Sequence, residues 1–352
     1  MGLNMFMEIA GCPTVCKHCW AQGIPYRMMP LGDIRWVLEE AQQFCREAGQ
    51  EFGAYPMHEI AAHPQAPEVM QLFRDFFGDD LGFEPLATTG VPLATREDWR
   101  ELIAAIGAQG TRHFWLAFHG LEAEHDRLVN RDGAFQETLL AVERIQSLGF
   151  RCGANVFVTH EMAAQFEALA ETLEGLGLSG TAWEVARYQP TARARQYEAH
   201  RPTLEDLSPI ADVVARLTVS AQTQWRNLGD YTEAAWARKA QDGGWEAACA
   251  PWEMAPPEGI PLVCRPNLDV HTGEAGLYGA RHGNLRRDGV AATLRRAIEY
   301  GARSKDSLYR LPDPPPPLDE LAARQGDPQG QAIYFEASSM RRRWLDRAAG
   351  RV

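Results

Sequence analysis

The stretch Met5-Phe-Met-Glu-Ile-Ala10-Gly-Cys12-Pro-Thr-Val-Cys16-Lys-His18-Cys19-Trp decides how the rest of the chain is read. An apolar run is followed at once by three cysteines spaced C-x3-C-x2-C. Three thiolates on one tight loop can hold three irons of a [4Fe–4S] cube and leave the fourth open to a ligand. With a histidine from elsewhere they can equally hold zinc as Cys3His. Ligand softness suits both metals, so the context of the loop decides between them.

Outward from the loop, apolar runs rich in β-branched and aromatic residues alternate with segments of helical period. Strands are predicted at residues 5–10, 51–55, 84–88, 113–118, 152–158 and 182–188. Ile34, Val37, Leu38, Ala41, Phe44 and Ala48 share one helix face, as do Trp99, Leu102, Ile103 and Ile106. Phe135, Leu139, Val142, Ile145 and Leu148 repeat the pattern, followed by Met162, Phe166, Leu169, Leu173 and Leu176. Gly49, Gly107, Gly149 and Gly177 are read as helix ends. With a last helix near 204–217, residues 1–220 form an α/β fold, a partial (βα)6 TIM-like barrel. Reacting groups in such barrels lie at the C-terminal ends of the strands, where the cysteine loop falls.

The bulk numbers exclude several partners. A net charge of −12 and a pI near 5.4 argue against nucleic acid or an anionic membrane surface. No run reaches the roughly 18 apolar residues of a membrane span, and residues 1–10 lack the marks of a signal peptide. Seven unevenly spaced cysteines in 352 residues do not suit a secreted disulfide scaffold. A cytoplasmic protein is expected.

Beyond the barrel, helical period fades over 220–261 while Trp225, Trp236, Trp245 and Trp252 crowd in. Residues 221–310 read as a small α+β extension, with two short strands around 269–276 and a helix over 290–300. Residues 311–352 begin with Leu311-Pro-Asp-Pro-Pro-Pro-Pro317, a stiff spacer, and continue into a helical tail. Arg341-Arg342-Arg343 in that tail reads as a solvated helix face.

The loop and the barrel pattern together resemble the radical S-adenosylmethionine (radical SAM) enzymes, whose loop reads C-x3-C-x-aromatic-C. The resemblance implies a [4Fe–4S] cluster on Cys12, Cys16 and Cys19, with His18 in the ring position. The family's Gly-Gly-Glu-Pro after strand two matches Pro56-Met57-His58-Glu59, without the two glycines. Glu59 would then hold the amino group of SAM. His119, ending strand four, and Asn155, on strand five, would face SAM or the substrate. Thr88-Thr89-Gly90 is read as a turn, and His125-Asp126 as closing a loop and capping the next helix.

In that family, SAM chelates the open iron and is cleaved on reduction. The 5′-deoxyadenosyl radical so formed abstracts a hydrogen atom from the substrate. The residues from Pro261 to Gly289 resemble the SPASM/twitch extension, which binds auxiliary clusters through four to seven cysteines. Here Cys249 and Cys264 stand alone, so a cluster-free remnant is expected. These two are candidate hydrogen-atom donors, with small buried hydrophobe as the plainer reading. The implied partners are a peptide or small natural product and an electron donor such as flavodoxin or ferredoxin. The rival reading is a catalytically inactive or zinc-binding α/β barrel.

Overall fold

The structure is a computed structural model and describes residues 2–19, 27–78, 83–188, 195–219, 222–241, 259–274, 277–303 and 331–348. Six strands form the barrel: β1 (Gly2–Glu8), β2 (Phe52–Met57), β3 (Leu86–Thr88), β4 (His113–Phe118), β5 (Arg151–Phe157) and β6 (Thr181–Glu184). β1 and β2 pair in parallel, as do β3, β4, β5 and β6 in that order. The fold is the expected α/β partial barrel.

Alternation along each strand separates two faces. Leu3, Met5 and Met7 of β1, Phe114, Leu116 and Phe118 of β4, and Cys152, Ala154 and Val156 of β5 are buried in one apolar core. That core is completed by α1 (Leu31–Glu47), α2 (Ala66–Phe77), α3 (Trp99–Ala108), α5 (Ala134–Ser147) and α6 (Phe166–Gly175), while α4 (Glu122–Val129) buries Leu128 and Val129 apart from it. The residues between them, Phe6, Tyr55, Trp115, Asn155 and Phe157, line the inner face and are only partly covered. Cys45 and Cys152 are packing residues of the core.

Helix α2 has no counterpart in the sequence reading, although it buries Val69, Met70, Leu72 and Phe73. Its proline sits in the first turn, where a missing N–H costs nothing. Gly49, Gly149 and Gly177 take positive φ after their helices, as expected. Gly107 does not. It lies inside α3, where a β-carbon would overlap the Phe150 ring, and Gly110 makes the turn instead.

The extension joins the barrel sheet. β7 (Gly259–Cys264) pairs in parallel with β1, from Gly2 opposite Gly259 to Met7 opposite Cys264. β8 (Asp269–Glu274) and β9 (Leu277–Asn284) follow antiparallel, and α7 (Val290–Arg303) packs on β9 and α1. Three strands thus replace the two expected, because Pro261 hides β7 from a reading by propensity.

The tail ends in α8 (Ala337–Ala348), which buries Met340 and Trp344. Arg343 is not solvated: it pairs with Glu233 at 2.6 Å and Glu198 at 3.3 Å, with 18% of its side chain exposed. Trp225 and Trp236 are buried, each donating its indole N–H to a carbonyl, of Trp183 and Tyr334 respectively. Trp245, Trp252, Cys249 and the proline spacer lie outside the described residues. No helix among the described residues is long and apolar enough to cross a membrane.

Candidate active site

The cysteine loop leaves the end of β1 and is pinned by its backbone. Val15 N–H donates to the Val129 carbonyl and Lys17 N–H to that of Leu128, each at 2.9 Å. These carbonyls belong to the last turn of α4, which has no helical partner for them, so loop and helix end satisfy each other. Cys12, Cys16 and Cys19 are free and half-buried. The Thr14 hydroxyl bridges the first two thiols, 3.1 Å from Cys12 Sγ and 3.3 Å from Cys16 Sγ.

Burial first, then the Glu59 carboxylate, pushes the Cys12 thiol up to about 12; burial and the neighbouring Cys12 push Cys16 higher still. Thiols in such a place ionise only if a cation offsets the charge. Three soft donors with that demand fit an iron–sulfur cluster. Among the described residues no three His, Cys, Asp or Glu side chains group closely enough to hold a single metal ion.

Glu59 is 3% exposed, which removes it from the surface. Its Oε1 accepts from Thr88 Oγ1 at 2.9 Å and its Oε2 from Thr89 N–H at 2.6 Å. The Thr88-Thr89-Gly90 turn is therefore more than a turn. β2 and β3 share no ladder among the described residues, and this carboxylate joins their C-terminal ends. Burial raises the Glu59 carboxyl, opposed by the two threonine hydrogen bonds.

His18, His119 and His125 come together. The His18 ring lies 4.6 Å from that of His119 and 4.3 Å from Phe157, while His119 lies 5.3 Å from His125. His119 and Phe157 stack at 5.2 Å. Burial lowers His18 and His125 to about 4 and His119 further, so all three are neutral near pH 7. The Nδ1 atom of each is buried without a hydrogen-bond partner among the described residues. The result is an uncharged aromatic wall of stacked and tilted rings beside the thiol loop, with unused hydrogen-bonding capacity. Asp126 caps α5 as expected, accepting from Gly133 N–H and Phe135 N–H at 2.6 and 2.8 Å, but its neighbour His125 joins the wall.

Asn155 stands on the inner face of β5, two residues below Phe157, and is half-buried. Cys264 does not join the site. It alternates with the inward positions of β7 and is buried in the core opposite Met7, with its thiol pushed up by burial. His282 of β9 is engaged with the Thr272 hydroxyl.

Two groups escaped the sequence reading. Glu8, 5% exposed at the end of β1, lies 3.6 Å from His58 Nε2 and 3.7 Å from Arg265 Nε. A charged residue inside the run Met5–Ala10 was the available signal. Phe157 and Tyr197, which flank His18, left no local signal, because only strand register and the segment after β6 bring them there.

SuiB of Streptococcus suis, bound to the precursor peptide SuiA, superposes with a TM-score of 0.51 at 11% identity, covering 96% of this chain and 76% of its own. The enzyme anSMEcpe with bound AdoMet aligns at 0.49 and 12% identity over 99% and 97%. Coproporphyrinogen III oxidase of Escherichia coli, a radical SAM enzyme, aligns at 0.41 and 18% over 68% and 58%. No family model matches the sequence, and no curated protein does. The chain shares its fold with SuiB.

Proposed function

We propose that this chain is a radical SAM enzyme. It would bind a [4Fe–4S] cluster through Cys12, Cys16 and Cys19, cleave S-adenosylmethionine reductively, and abstract a hydrogen atom from a peptide or small natural product. The observation that carries the reading is the thiol loop itself, set at the strand ends of a partial barrel and flanked by a buried carboxylate and a neutral aromatic wall. When bound, cluster and SAM together supply a carbon-centred radical able to attack an unactivated C–H bond.

The chain's own residues do the rest. Cys12, Cys16 and Cys19 hold the irons as thiolates, and the Thr14 hydroxyl between two of them offsets part of their charge. Glu59, held by Thr88 and Thr89, presents a fixed carboxylate to the ammonium of SAM. His18, His119 and Phe157 give an uncharged aromatic wall for the nucleoside and keep water away. Asn155 faces SAM or the substrate. An electron donor such as flavodoxin or ferredoxin would supply the electron, and a peptide substrate agrees with the SuiA-bound state of SuiB.

Anaerobic reconstitution with iron and sulfide tests the reading. The expected result is about four irons per chain, with SAM cleaved on reduction and cleavage abolished in Cys16→Ala. Stoichiometric zinc without cleavage would establish the rival zinc-binding barrel.

A further inference from the structure

Across the upper barrel, strand register builds one row of side chains. Phe118 pairs with Val156, which puts His119 level with Phe157, and Phe157 pairs with Glu184 of β6. Trp183, the residue before Glu184, is fully buried in the helix-facing core, so alternation turns Glu184 to the inner face. His119, Phe157 and Glu184 thus stand side by side at the mouth of the barrel. Asn155 lies two residues below Phe157 on the same face, opposite Ala182 and diagonal to Glu184.

Among the described residues the half-buried Glu184 side chain makes no hydrogen bond or ion pair, while its backbone carbonyl accepts from Val158 N–H at 2.8 Å. Among the described residues the Arg187 charge acts favourably on Glu184, but its guanidinium is paired with Glu336 at 2.6 Å, and the Glu336 carboxylate adds to the negative potential at Glu184. Elsewhere the protein satisfies its covered carboxylates: Glu59 through two threonines, Glu198 through Arg201 and Tyr334, Asp346 through Tyr188. A partly desolvated carboxylate that shares its cation with a second carboxylate is costly, and a cavity wall is where such a cost serves a ligand. Hydroxyls could satisfy its lone pairs but not its charge.

We propose that Glu184, with Asn155 beside it, forms a subsite for a cationic group of the substrate, an ammonium or guanidinium such as a lysine or arginine side chain presents. The inference rests on the proposed function for the chemistry performed there. It adds the class of substrate. The cation is held next to the aromatic wall, by a charge-assisted contact to Glu184 and a hydrogen bond to the Asn155 amide oxygen.

The test uses full-length wild-type and Glu184→Gln protein, with N-acetyl-lysine amide, N-acetyl-arginine amide and N-acetyl-norleucine amide as probes, followed by ligand-observed NMR titration. Wild type should bind a cationic probe at least about ten-fold more tightly than the norleucine probe, and the preference should vanish in the variant. SAM affinity should be unchanged, and the melting temperature of the variant should equal or exceed that of wild type, since an unpaired charge is removed. Equal binding of all probes to both proteins overturns the proposal. So does a variant that loses SAM affinity but keeps the probe preference, which would give the carboxylate to SAM. A fall of several degrees in melting temperature would make Glu184 structural and overturn it likewise. If wild type takes up neither cluster nor SAM, the proposed function fails, while the probe comparison still reads the subsite.

Discussion

His125 shows what burial does to one residue. It is 2% exposed, touches His119, Phe118 and Phe135, and has its pKa lowered to about 4 by desolvation. The folded value lies below the unfolded value of 6.5, so the stabilising effect of the neutral form is complete above that pH. It is lost as pH falls toward 4. Between pH 7 and pH 5 this one group should cost the fold about 2 kcal/mol. Urea titrations should show His125→Gln losing less stability than wild type over that interval; parallel losses would mean the imidazole is not desolvated.

At the scale of elements, Gly107 reverses the usual expectation. Replacing a glycine inside an exposed helix by alanine stabilises by about 1 kcal/mol. In α3 the new methyl would meet the Phe150 ring, which also packs edge-on against Phe114 at 5.8 Å. Gly107→Ala should therefore destabilise by about 1–3 kcal/mol, and Phe150→Ala in the same chain should restore the helix-favouring sign. A double-mutant cycle of urea midpoints checks both. A reading by period stops a helix at the first glycine, because what separates Gly107 from Gly110 is a ring more than forty residues further along the chain.

For the whole molecule, the tail closes the structure through charge. Arg201 is 6% exposed, bonded to Glu198 at 2.6 Å and to the Ile333 carbonyl at 3.1 Å, and it lies 4.0 Å from the Tyr334 ring. Arg343 ties the same Glu198 to Glu233. Removing Arg343 from such a covered network leaves Glu198 to Arg201 and Glu233 to the longer contact with Arg347. Arg343→Ala should cost about 3 kcal/mol by urea denaturation, with little response to added salt, whereas the solvated face first expected would give a change near zero.

The sequence by itself determined whatever is written within a few residues. The thiol spacing, the strands with their alternation, and most helices carry their own local signal, and from them followed the barrel and the end at which its site lies. Tertiary structure alone decided which side chains meet. The Glu59 clamp on β3, the row His119–Phe157–Glu184, the pairing of β7 with β1 that turns Cys264 into the core, and the burial of Arg343 all depend on register between distant segments. In the sheets register is set by packing of the whole core, and a shift of one residue would turn Phe157, Glu184 and Cys264 to the opposite face.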